Sequence, residues 1–133
     1  IALADQIVIG PGSLYTSLLA TLLVPGIVEA INRAKGRLIY VANLSTQDGE
    51  TIGMDCADHL DALIAMSGMR SPAAIVANET SATFPPPLTA LEADTEVLAT
   101  YGVDVVFGDL VENTAAVPRH DPIRLGGVLA RLI

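Results

Sequence analysis

The chain has 133 residues, enough for one domain around one core. Hydrophobic residues make up 51% and charged residues only 17%, which excludes intrinsic disorder. The formal net charge is -8 and the seven Lys and Arg are scattered, which excludes a nucleic-acid binder and argues against an anionic membrane surface.

Aromatic residues are 4%, so Leu, Val, Ile and Ala must build the core. No apolar run reaches the ~18 residues of a membrane span. The longest, Leu18–Val24, contains a threonine and stops at Pro25. No signal-peptide pattern is visible. The single cysteine, Cys56, allows no internal disulfide and fits a reducing compartment, so a cytoplasmic location is expected. It reads as a buried apolar residue or, more sharply, as a reactive thiol, although nothing basic flanks it.

Ile1–Ala4 reads as the end of an earlier element, so a piece of a longer protein is expected. Asp5–Gly10 is a short buried strand running into a glycine turn. Ser13 opens a helical pattern with Leu14, Leu18 and Leu22 on one stripe and Leu19 and Leu23 beside it. That pattern must stop near Val24, and Pro25 is suited to begin the next helix, through Ile27, Ile31 and Ala34 to a stop at Gly36. Arg37–Ala42 is a second strand, followed by a polar loop over Asn43–Gly53. Asp55 is a candidate cap for a third helix with Asp58 at the reciprocal position, and Gly68 ends it. Ala73–Ala77 is a third strand. Asn78–Pro87 is irregular, and Leu88–Glu92 is ambiguous between a short helix and an edge strand. Asp94–Tyr101 reads as helix, Val103–Phe107 as a fourth strand, and Asp121-Pro122 as the cap and first residue of a last helix.

The strands are short and continuously apolar, and they alternate with helices. The fold class is therefore α/β, a three-layer α/β/α, Rossmann-like arrangement with a mostly parallel sheet. Ligands in such open sheets bind beyond the C-terminal strand ends.

Two polar loops leave that edge. In the first, Gly10-Pro11-Gly12-Ser13, the glycines allow close approach to a ligand, and the following helix offers free N–H groups at its positive end. Thr16 and Ser17 add hydroxyls. This is an anion cradle without a basic side chain, or else a tight strand-to-helix turn capped by Ser13. It lacks the third glycine of a dinucleotide fingerprint and the Gly-Lys-Ser/Thr end of a Walker A loop. The second loop, Asn43–Thr51, offers amides, hydroxyls and the carboxylates of Asp48 and Glu50. It suits sugar or base recognition, or it is a plain solvated loop. Two acids without a third ligand make a weak metal signal, and no metal site is expected. His59 and His120 have no partner at metal spacing and read as structural. Ser13 lacks the Gly-x-Ser-x-Gly elbow, so no catalytic residue is assigned.

The stretch Ala4-Asp5-x-Ile7-Val8-Ile9-Gly10-Pro11-Gly12-Ser13-Leu14-Tyr15-Thr16-Ser17 is similar to a signature of the gluconeogenesis-factor (YvcK-like) family. So are Leu23-Val24-Pro25-Gly26-Ile27, Glu29-Ala30-Ile31, Tyr40-Val41-x-Asn43-Leu44-x-Thr46-Gln47-x-Gly49-Glu50-Thr51, Asp58-His59-Leu60, Asp109-Leu110-Val111 and His120-Asp121-Pro122. The family includes the 2-phospho-L-lactate transferases (CofD-like) of coenzyme F420 synthesis. Those carry Gly-Pro-Ser-Asn where this chain has Gly10-Pro11-Gly12-Ser13, a departure that favours the factor branch.

The resemblance implies that residues 1–133 are the C-terminal part of a YvcK/CofD-like α/β domain. It implies a nucleotide-sugar-binding regulatory factor of bacterial carbon metabolism, cell wall and cell shape, taking a UDP-sugar such as UDP-N-acetylglucosamine. The alternative it implies is a phospholactate transferase. The implied ligand residues are Gly10, Pro11, Gly12, Ser13, Leu14, Thr16, Ser17, Asn43, Thr46, Gln47, Glu50 and Thr51, with a phosphate on the N–H groups of Gly12, Ser13 and Leu14. Family members have a longer N-terminal part whose glycine-rich turn and aspartate-rich loop are not in this chain. Mg2+ is therefore expected only with the full-length protein, and no cofactor in this chain. A homo-oligomer is expected.

Overall fold

The structure is a computed structural model that describes residues 1–79, 81–112 and 118–133. Of the irregular stretch Asn78–Pro87, residue 80 lies outside the described residues.

Among the described residues four strands form the sheet: β1 (Gln6–Ile9), β2 (Arg37–Val41), β3 (Ala74–Asn78) and β4 (Asp104–Gly108). They stand in the order β1-β2-β3-β4, and every neighbouring pair is parallel. Ile9 lies opposite Tyr40, Val41 opposite Val76, and Asn78 opposite Gly108. The two central strands explain the lack of alternation in the sequence. Leu38, Ile39, Tyr40, Val41, Ala74, Ile75 and Val76 are all at 0% exposure, since both faces of the sheet are covered. On the edge strands Val8 and Phe107 stay about two-fifths exposed.

The helices are α1 (Ala20–Leu22), α2 (Ile27–Arg33), α3 (Cys56–Ser67), α4 (Thr95–Thr100) and α5 (Pro122–Ala130), with a π-helical segment Leu14–Leu19 leading into α1. The helices that connect consecutive strands pack on one face, while Leu44, Ala82 and Phe84 of the connecting loops reach the other. On the helical face Leu14, Leu19, Leu22, Ile31, Leu60, Leu63 and Leu98 cover Leu38, Tyr40 and Ile75. The opposite face is closed by α5 and the segment after β4, where Val128, Leu132, Leu110 and Val111 cover Ile39, Val41 and Val76. The result is the expected three layers, with one layer much thinner than the other. No single helix among the described residues is long and apolar enough to cross a membrane.

Three local expectations are corrected. The helix after Ser13 begins in π form, whose wider turn places Leu19 beneath Leu14. Both are buried, whereas Leu23 is 60% exposed. Pro25 does not open α2; Gly26, at φ +88, precedes Ile27 as its cap. Leu88–Glu92 is neither helix nor strand, but a segment tied by one antiparallel bridge between Ser45 and Ala90. The predicted capping box holds: Asp55 accepts from the Asp58 N–H, and Asp58 accepts from the Asp55 N–H. Asp121 caps α5 by accepting from the N–H groups of Ile123 and Arg124, with Pro122 as the first helical residue.

Candidate functional site

Because β1 and β2 are parallel neighbours, their following loops emerge side by side at the C-terminal edge. Gly10 turns the first loop at φ +83, and a Cβ there would lie 2.6 Å from the Val41 carbonyl oxygen. Its glycine is demanded by its positive φ and by the backbone packing between β1 and β2. Gly12 differs: it has no positive φ, and a Cβ would meet only the Leu18 side chain at 3.4 Å and the Ser17 side chain at 3.6 Å. The Gly10–Pro11 peptide is cis.

The second loop clamps the first. The Asn43 Oδ1 accepts from the Gly12 N–H at 3.0 Å, and its Nδ2 donates to the Gly12 carbonyl at 2.9 Å. Gln47 Nε2 donates to Ser13 Oγ at 2.9 Å, and the Thr16 hydroxyl donates to Glu50 Oε1 at 2.9 Å. Thr51 Oγ1 accepts from the Gln47 N–H at 2.8 Å, bracing the second loop from within. Thr46 is fully buried and accepts from the Thr89 N–H at 3.0 Å. Thr46 and Thr51 thus face the protein interior. Ser13 flanks the helix without capping it, its hydroxyl being taken by Gln47.

Of the three N–H groups expected to hold a phosphate, that of Gly12 is engaged by Asn43. Those of Ser13 and Leu14, at the start of the helix, take no acceptor from the described residues. That of Ser13 remains available to an anion, whereas Leu14 is at 0% exposure and its N–H is closed to one.

Between the loops lies a cleft of about 220 Å³ lined by Gly12, Ser13, Asn43, Leu44, Ser45, Gln47, Pro118, Arg119 and His120. The structure thus brings four of the sequence-predicted residues to one cleft. Leu14 is buried in the core, and Gly10, Pro11, Thr16, Ser17 and Glu50 lie outside the cleft lining.

The third wall, Pro118–His120, was missed in the sequence. An antiparallel bridge between Val111 and His120, with the Glu112 N–H donating to the Arg119 carbonyl at 2.8 Å, folds it back over the sheet edge. The signal available was position alone: His120 directly precedes a capped helix at the ligand edge. It also brings a basic side chain, where the loops alone offered none. Arg119 is held by Glu112 at 2.5 Å and 3.2 Å and is 70% exposed.

His120 has its pKa lowered, chiefly by burial, against an opposing backbone interaction with Ala42. Its Nε2 is closed to solvent without a partner, and so are Gln47 Oε1, Glu50 Oε2 and His59 Nε2. His59 is structural: it is fully buried in the core with Nδ1 2.9 Å from the Tyr40 hydroxyl. Cys56 is fully buried, and burial, helped by Asp55, pushes its thiol up to about 12, which leaves it unreactive. Among the described residues no three His, Cys, Asp or Glu side chains converge to hold a metal ion.

Comparison with known proteins matches residues 1–111 to the family model described as 2-phospho-L-lactate transferase CofD. The gluconeogenesis factor of Bacillus subtilis is 35% identical over 98% of this chain and 43% of its own length. That of Halalkalibacterium halodurans is 56% identical over half of this chain and 20% of its own length. A crystal structure of a UPF0052-family protein from Bacillus halodurans superposes with a TM-score of 0.88 at 34% identity, over 99% of this chain and 44% of that one. The chain spans less than half the length of these relatives.

Proposed function

The chain belongs to the CofD family, and on that premise we propose that it is the part of a YvcK-like regulatory factor that binds a UDP-activated sugar, UDP-N-acetylglucosamine foremost. One observation carries the reading. The unpaired N–H of Ser13 stands at the start of a helix beside a polar cleft that is also lined by Arg119. A backbone N–H at a helix start, with one arginine, suits a phosphate or diphosphate in a chain of net charge -8. The polar loop Asn43–Thr51 shapes the adjoining wall. The proposal includes a regulatory role in carbon metabolism, cell wall and cell shape. It also includes a homo-oligomer, which light scattering at increasing concentration tests. Calorimetric titration of the full-length protein with UDP-N-acetylglucosamine tests the ligand, and no heat at millimolar ligand sinks the reading.

A second reading is favoured by the family model's own description. A transferase would move a phosphate-linked small acid onto an acceptor with magnesium and a nucleotide-activated lactate. Product formation in that assay would put the chain in the enzyme class. Gly12-Ser13, at the place of the transferases' Ser-Asn, speaks for the factor.

A further inference from the structure

We propose that the open edge of β1 is the seat of a further parallel strand, contributed by the part of the full-length protein beyond these 133 residues. The inference concerns the sheet and stands whatever ligand the cleft takes.

The backbone of β1 is paired on one side only, since among the described residues β2 is its one neighbour. In a parallel ladder alternate residues turn their N–H and C=O groups to the same neighbour. The Asp5 carbonyl accepts from the Arg37 N–H at 2.9 Å, so Asp5, Ile7 and Ile9 serve β2. The N–H and C=O groups of Gln6 and Val8 therefore point to the open edge, where no described residue meets them. Natural sheets blunt such an edge with charge, proline or a covering segment. Gln6-Ile7-Val8-Ile9 carries neither charge nor proline, which leaves the covering segment.

The side chains around this edge are apolar as well. On the face covered by the connecting helices, a groove of about 280 Å³ runs beside β1, lined by Ile7, Leu18, Leu22, Ile27 and Ile31 among others. On the other face Val8 is 40% exposed, while its register partner Ile39 is at 0%. A strand laid along β1 would set alternate side chains into the groove and beside Val8.

The winding of the sheet identifies that strand. The order β1-β2-β3-β4 runs in one direction, and the helices of all three crossovers lie on one face. Among the described helices the opposite face has α5 alone. A doubly wound sheet completes such a half with a second one, which starts beside the first strand, runs the other way and places its helices on the thinly covered face. The length of the relatives leaves room for it, since this chain covers 44% of the UPF0052-family crystal structure. The other edge strand, β4, ends the winding and opens on the charged Asp104. Parallel to β1, the added strand would end beside Gly10. The loop after it would then face the Gly10–Ser13 turn across the crevice where the strand order reverses.

The test is residue-resolved hydrogen exchange on the full-length protein, with light scattering at the same concentration. The Gln6 and Val8 amides should exchange about a hundredfold or more slowly relative to an unstructured chain. Exchange near the unstructured rate overturns the proposal, and this arm needs no variant to fold. Val8→Lys supplies the second arm. An open edge accepts a lysine at little cost. Beside an added strand the same lysine should lower the urea midpoint by about 1 M and leave the mass seen by light scattering unchanged. An unchanged midpoint overturns the proposal. A mass that halves in Val8→Lys overturns it too, because the edge is then held by a second copy of the chain.

Discussion

The Asn43 side chain closes a two-bond ring with the backbone of Gly12, accepting its N–H at 3.0 Å and donating to its carbonyl at 2.9 Å. A side-chain amide here plays the part of a neighbouring strand. It ties the two loops together three residues beyond the last β1–β2 pair, Ile9 and Tyr40.

Asn43→Asp keeps the acceptor and turns the donor into an oxygen facing the Gly12 carbonyl. A loss of about 1–3 kcal/mol is expected, read as a lower urea midpoint. Nucleotide affinity should fall with it, because a carboxylate then stands beside the phosphate position. An unchanged midpoint would show that the pair does not hold the loop.

The two glycines of this loop should part company. Gly10→Ala forces a side chain at φ +83 with its Cβ 2.6 Å from the Val41 oxygen. A loss of about 2–4 kcal/mol is expected from strain and crowding together. Gly12→Ala meets only the Leu18 and Ser17 side chains at ordinary contact distance, so its stability should stay within about 1 kcal/mol. Its ligand affinity should nevertheless drop about tenfold if the phosphate approaches the backbone there. Thermal melts and calorimetry on the same two samples separate these outcomes.

This contrast marks what the sequence could say. Elements set by local rules were legible: the apolar strands, the Asp55–Asp58 box, and Asp121 before Pro122. The glycines pointed to a special loop, but their separate reasons depend on what crosses the chain. Val41 crowds Gly10, and Asn43 engages Gly12. The π form of Leu14–Leu19 was hidden because the leucines satisfy a 3.6-residue stripe equally well until packing selects Leu19 over Leu18. His120 and Arg119 were hidden for the plainest reason. They reach the cleft through the bridge of Val111 to His120, a tertiary contact with no local signature.

Asp121 should hold both α5 and this third wall. It accepts from the N–H groups of Ile123 at 2.9 Å and Arg124 at 3.0 Å. Asp121→Ala should cost about 1–2 kcal/mol by loss of the cap. Asp121→Asn keeps the cap and loses only the ion pair with Arg124, a partly exposed contact expected to contribute under ~1 kcal/mol. Denaturant midpoints of the two variants should therefore differ. If they fall equally, the ion pair and not the cap carries the stability.

The last prediction concerns pH and the core. His59 is fully buried, its Nδ1 is 2.9 Å from the Tyr40 hydroxyl and its Nε2 has no partner. Burial lowers its pKa, against weaker upward pulls from Asp58 and Asp55. The folded state therefore binds this proton less readily than the unfolded chain, whose histidine titrates near ~6.5. Stability is complete above that value and falls as pH drops below it, by at most about 1.4 kcal/mol per pH unit for this one group. His120 is shifted in the same direction and adds to the fall. Urea midpoints at pH 7.5 and 5.5 lie above most carboxylate titrations and isolate the histidines. His59→Gln leaves a polar group for the Tyr40 hydroxyl but cannot take the proton, so its drop between the two pH values should be smaller than that of the parent. An equal drop would mean that His59 is protonated as easily inside the core as outside it.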